Sequence, residues 1–192
     1  MLSYVGQRFT RLKNGRMHQV TGWRSLKRVE IPGLGKRFFS EGNVPELGLF
    51  PDRYPGLRDQ SFWAGHEIAP LHIGTWLCAK LVRIGLLPRL DRFAGQLASF
   101  SSLFNWMGNS ESGFFLFVSG VDAGGKKVGK RHYIIARQGD GPIIPCIPAI
   151  LVARKLAAGQ VIAPGARPCL DIVTLDEYRA EFAGLAVSCV DE

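Results

Sequence analysis

Several sequence signatures of cofactor and nucleophile chemistry are missing from this chain. Gly33 and Gly35 in "PGLGKRFF" supply a G-x-G, but no third glycine follows and Lys36-Arg37-Phe38-Phe39 favours a strand rather than a helix, so the dinucleotide fingerprint is not formed. The glycines and lysines of "DAGGKKVGK" do not end a phosphate-loop frame and read instead as a hairpin tip. There is no G-x-S-x-G elbow, and no local spacing joins a cysteine to a histidine. Cysteine is scarce: Cys78, Cys146, Cys169 and Cys189 lie far apart with no C-x-x-C pair. With no leader segment, reduced thiols and a cytoplasmic location are expected. His18, His66, His72 and His132 are as dispersed, so no metal site is expected. The longest apolar runs, near 68–79 and 142–153, fall short of the roughly 20 residues that span a bilayer.

What is present is an ordinary globular composition. Over 192 residues the chain is 46% apolar, enough for a sizeable core and against disorder. The net charge of +8 would suit a nucleic-acid partner. Its lysines and arginines are scattered, however, and the one dense cluster, Lys126, Lys127, Lys130 and Arg131, straddles a predicted hairpin. No nucleic-acid-binding pattern accompanies them, so no nucleic-acid partner is expected. A paired-carboxylate site drawn from Glu41, Glu46 and Asp52 has no spacing in its favour.

Asn14-Gly15 predicts a turn into a short strand in "GRMHQVTGW". "GKRFFSEG" and "DQSFWAGHEI" read as further strands, separated by "NVPELGLFPDRYPGLRDQ", whose prolines exclude a long helix or a central strand. "PLHIGTWLCAKLVRIGLL" is a helix bounded by Pro70 and Pro88, with His72, Thr75, Trp76, Lys80 and Arg83 on one face. "LDRFAGQLASFSSLFNWMG" is a second helix, closing at Gly108. The two form a helical hairpin at about 70–108, either a buried core pair or an interface. Two strands around Asp122-Ala123-Gly124-Gly125 make a hairpin over 113–138. A Gly-Asp-Gly-Pro corner follows, then a helix to Gly159, a short strand in "CLDIVT", a helix capped by Thr174 with Glu177, and an edge strand in "AVSCV". The expected fold is one α+β domain over 1–192, with a mainly antiparallel or mixed sheet and helices on one face.

The corner at Asp140-Gly141 before Pro142 either frees backbone N–H groups for an anion, with His132 or Arg131 adding charge, or is simply a turn. The succession "VPELGLFPDRYPGLR", "GLLPRL", "VSGVDAGGKKV", "GDGPIIPCIPAILVARKLAAG" and "GARPCLDIVTLDEY" resembles, in the same order and over nearly the whole chain, the C-terminal part of saccharopine dehydrogenase family proteins. That resemblance implies the substrate-binding and subunit-association domain of an NAD(P)-dependent oxidoreductase. The cofactor would be held by a Rossmann half, possible as a separately encoded partner; this chain would bind no cofactor and be inactive alone. Glu46 and Pro51 match the family's substrate segment, whereas Val44 stands where a polar residue is usual. The implied substrate-pocket residues are Asn43, Glu46, His132 and Asp140, for a small molecule left unspecified, with catalytic residues unknown. A homodimer through Leu77, Leu81, Phe100 and Phe104 is expected. The alternatives are a non-catalytic association module and a membrane-surface role with Trp76 and Trp106 near the headgroups.

Overall fold

Asn14 and Gly15 both take left-handed backbone angles, φ 51° and 73° in a computed structural model of the chain. This is the geometry that lets two strands return on each other through a two-residue turn. Strands β1 (Arg8–Lys13) and β2 (Arg16–Thr21) accordingly pair antiparallel along their whole length, from Lys13 opposite Arg16 to Arg8 opposite Thr21. The structure describes residues 2–160, 163, 165 and 168–192. It is an α+β protein, and all the strand pairs among the described residues are antiparallel. The chain divides into two compact units, Met1–Gly108 and Asn109–Glu192.

In the first unit, β3 (Lys27–Ile31) and β4 (Gly35–Gly42) form a second hairpin, and β5 (Phe62–Ala64) adds to the free side of β4. The strand expected across "DQSFWAGHEI" is thus only three residues long. The proline-rich connection carries a short helix, α1 (Glu46–Arg53). Pro51 sits in its second half, where the missing N–H would have faced the Leu47 carbonyl, and the helix ends two residues later. Helix α2 (Ala69–Arg83) begins, as expected, with proline in its first turn.

The second helix of the expected hairpin is shorter than its sequence pattern. A 3-10 turn at Leu90–Phe93 leads into α3 (Ala94–Ser102), and another 3-10 turn follows at Asn105–Met107. The cause is local competition. The hydroxyls of Ser101 and Ser102 donate to the carbonyls of Ala98 and Ser99, at 2.8 and 2.7 Å. Leu103, Phe104, Met107 and Gly108 then bond three residues back instead of four.

Val5, Trp23, Ala64, Ala79 and Leu90 make the buried cluster of this unit, with Cys78, Val82 and Leu97 packed against it. Both helical segments therefore face one core, but mostly through small or mid-sized side chains. Their largest apolar residues point outward: Leu77 is 48% exposed, Leu81 37%, Phe100 55% and Trp106 82%.

The second unit is built on β7 (Lys127–Ala136), flanked by β6 (Ser112–Val121) and β8 (Val187–Asp191). The Asp122 carboxylate accepts the N–H groups of Gly124 and Lys126, both at 2.9 Å, which closes the turn the sequence predicts. After the corner, a 3-10 turn (Gly141–Cys146) runs into α4 (Ile147–Ala157). Ile135, Ile144, Ile147 and Leu151 are buried. No strand forms in "CLDIVT", because Asp171 adopts φ 60°, which an extended run cannot contain. Helix α5 (Leu175–Ala180) carries the expected capping box: Glu177 N–H donates to Thr174 Oγ1 at 3.2 Å, and Thr174 N–H to Glu177 Oε2 at 2.8 Å.

Two glycines separate close packing from open helix surface. A methyl group at Gly22 would lie 2.2 Å from the Tyr4 carbonyl oxygen, whereas one at Gly74, exposed inside α2, meets nothing within 4 Å. Gly22→Ala is therefore expected to destabilise the protein by about 1–3 kcal/mol. Gly74→Ala is expected to stabilise it by about 0.5–1 kcal/mol. Thermal denaturation followed by circular dichroism checks both signs.

Candidate functional site

Two of the dispersed histidines meet inside the first unit. His72, on the first full turn of α2, is completely buried with Ser40 of β4, and its Nε2 lies 3.0 Å from Ser40 Oγ. Trp23, Phe38 and His66 surround the imidazole, with ring centroids 5.0, 6.1 and 5.8 Å away. The backbone N–H of His66 donates to His72 Nδ1 at 3.4 Å. Nδ1 must then carry the lone pair, so the neutral ring holds its proton on Nε2 and donates it to Ser40.

His66 completes a similar relay. Thr75 donates its hydroxyl to the Leu71 carbonyl at 2.9 Å, so its oxygen is left to accept from His66 Nε2 at 3.4 Å. Burial, helped by the neighbouring His66, pushes the His72 pKa down to about 4, and burial lowers that of His66 as well. A serine nucleophile needs a histidine that takes its proton. Here the histidine gives one, and neither group reaches solvent, so this pair is a structural joint.

The first unit also carries two polar clefts, each of about 480 Å³. The first is lined by Arg8 of β1, Thr21 of β2, Arg24 and Ser25 of the following link, Glu41 of β4 and Arg83 of α2. Glu41 is the only carboxylate among the lining residues, and it is already engaged: Arg11 Nε lies 2.9 Å from its Oε1, and Ser25 Oγ donates to its Oε2 at 3.4 Å. Arg8, Arg24 and Arg83 form no ion pair among the described residues. Trp76 Nε1 donates to the Arg24 carbonyl at 2.9 Å and fixes that residue's backbone, while Lys80 stacks over Trp76 at 3.4 Å.

The second cleft shares Arg8 and is lined by Tyr4, Thr10, Asn43 and Pro45 among others. Asn43, an expected pocket residue, is thus on a cleft wall. Glu46 is exposed in the first turn of α1, and its carbonyl accepts from Gln60 Nε2 at 2.8 Å. The Glu41, Glu46 and Asp52 grouping has no catalytic pairing in view, since Arg11 neutralises Glu41 and the other two are exposed.

The remaining two expected residues lie in the second unit, with separate partners. His132 Nδ1 is 2.5 Å from Asp191 Oδ1, pairing β7 to β8 through side chains as well as backbone. That hydrogen bond holds the Asp191 carboxyl below its usual range, with Arg179 adding to the effect. His132 Nε2 is shielded from solvent and has no hydrogen-bond partner among the described residues. Asp140 accepts the N–H of Ala186 at 2.7 Å, a clamp across 46 residues of sequence.

The corner has few donors left for an anion. Asp140 N–H goes to Arg137, Gly139 N–H to Ser110 and Ile143 N–H to Asp140, while Pro142 has none. A methyl group on Gly141 would fall 1.8 Å from Ser112 Oγ, so glycine here serves close packing.

Among the described residues no group of three or more histidine, cysteine or acidic side chains could hold a metal ion. No helix among them is long and apolar enough to cross a membrane. No family model matches the chain, and no curated protein matches it.

The polar face of α2 was visible in the sequence, but His72 pointing inward and Arg83 lining one cleft with Arg8 and Arg24 were not. The one local signal was the six-residue interval from His66 to His72 across the proline that starts the helix. Below about pH 6.5 the unfolded chain takes up a proton on His72 that the folded one refuses until about pH 4. Stability should therefore fall as pH drops through that window, by about 3 kcal/mol for this group, and stay level above it. Urea denaturation at pH 7, 5.5 and 4.5 reads this slope, which His72→Gln should flatten.

Proposed function

We propose that this chain is the substrate-holding and subunit-associating part of an NAD(P)-dependent oxidoreductase of the saccharopine dehydrogenase type, and that two copies join through the outer surface of α2 and α3. In the complete enzyme a nicotinamide held by another domain exchanges hydride with a carbon of a small molecule seated against this chain. The observation that carries the association is the exposure of Ile73, Leu77 and Leu81 on α2 and of Phe100, Leu103 and Trp106 on α3 and the turns after it. Large apolar side chains gathered at a surface are the composition of an interface centre. Phe104 is half-buried and stacks edge-on against Phe100, with centroids 5.4 Å apart, which stiffens the patch. The resemblance of the ordered run of motifs to the saccharopine dehydrogenase family supports the oxidoreductase context, and Asn43 on a cleft wall supports a substrate there.

Burying each anchor contributes about 1.5–3 kcal/mol before association costs are subtracted. Leu77→Asp with Phe100→Asp should convert a dimer into a folded monomer, seen as halved mass by light scattering with an unchanged circular dichroism spectrum. An unchanged dimer would overturn the interface, as would a wild-type chain that is monomeric. Tight NAD(P)H binding by this chain alone would overturn the division of labour.

A further inference from the structure

We infer that the arginine-lined cleft of the first unit is a binding site for the phosphoryl group of a small anionic ligand. This goes beyond the association reading and does not depend on it, since every lining residue belongs to one unit of one chain.

The charge balance of the cleft is the starting point. Arg8, Arg24 and Arg83, from β1, the β2–β3 link and α2, all line the cleft. The single carboxylate on the wall, Glu41, is neutralised from behind by Arg11, where the pair is largely shielded at 17% and 12% side-chain exposure. The cleft therefore keeps the charge of three cations that have no ion pair among the described residues. Like charges brought together at a concave surface repel one another, and a bound anion relieves that repulsion.

The kind of anion follows from the donors. A single carboxylate carries one charge in one plane and is satisfied by one guanidinium fork. A phosphate monoester carries nearly two charges and three terminal oxygens, so it can engage several forks approaching from different directions. Thr21 and Gln19 add a hydroxyl residue and an amide residue to the lining, while the Ser25 hydroxyl is already bonded to Glu41. A volume of about 480 Å³ suits a small molecule bearing one or two phosphoryl groups. Two features hold the arginines in place without using their guanidinium groups: the Trp76 indole bonds the Arg24 carbonyl, and Arg8 is fixed in β1 opposite Thr21.

The test is calorimetric titration of the full chain with inorganic pyrophosphate at low ionic strength. One saturable site per chain is expected. Arg24→Gln and Arg83→Gln should each weaken it about tenfold or more, the loss of one charge-assisted contact. Arg92→Gln, which removes the same charge from an exposed turn outside the cleft, should leave binding unchanged. Arg24→Lys, which keeps the charge but not the fork, should lose affinity too, and melting curves matching the wild type would show that folding is not the cause. Absence of saturable binding overturns the site. Equal weakening by Arg92→Gln reduces it to general electrostatic attraction and overturns it as well. Stronger binding of citrate than of pyrophosphate at the same arginines overturns the phosphoryl assignment. Because the readout is anion affinity rather than mass, its failure is separable from a failure of the dimer.

Discussion

The first unit depends on a hydrogen bond between two side chains that water never reaches. A neutral imidazole buried without a partner for its N–H would cost on the order of 1–3 kcal/mol, and Ser40 removes that cost. The bond also sets a rotation. With about 100° per residue, Ala79 and Arg83 fall within about 20° of His72 around the axis of α2, while Leu81 falls on the far side. Once His72 is turned toward β4, Ala79 must enter the core, Arg83 must lie on that same side of the helix end, and Leu77 and Leu81 must face outward. The burial pattern of α2 follows that order, with His72 and Ala79 its only buried residues.

Electrostatics then separates two kinds of charged residue. Arg11 lies in a half-buried position and is matched by Glu41, as the cost of removing a charge from water requires. Arg8, Arg24 and Arg83 sit at an open wall, where solvent makes an unpaired guanidinium tolerable. In the second unit the same distinction appears. Asp140 and Asp191 are held by Ala186 N–H and His132, whereas the basic cluster near Lys126–Lys130 remains solvated around the hairpin tip. The Gly-Asp-Gly-Pro corner, which invites comparison with an anion-binding helix start, has most of its donors tied into its own turn. It connects strand to helix and anchors the return of the chain to β8.

Several elements could be read from the sequence because they are fixed within a few residues of chain. Asn14-Gly15, Asp122 with Gly125, Pro70 at the start of α2, Gly159 after α4 and the Thr174–Glu177 box each impose a backbone geometry on their neighbours alone. The α+β class, the antiparallel pairing and most helix positions follow from them. Where reading failed, a neighbouring hydroxyl or a single backbone angle outweighed the periodicity: Ser101 and Ser102 shortened α3, and Asp171 broke the strand in "CLDIVT". The apolar spacing of α3 was real, yet spacing alone does not say whether a stripe is covered.

The sequence by itself determined where the hairpins turn, the place of most helices and strands, and that no familiar dinucleotide or phosphate loop is encoded, since all of these are local patterns. Only the tertiary structure decided that His66 and His72 share one buried cage with Trp23, that Ser40 receives the His72 proton, and that Arg8, Arg24 and Arg83 line one cleft. The members of these groups are separated by 6 to 75 positions, and their meeting depends on strand register and helix rotation, quantities set by packing rather than by neighbours in the chain.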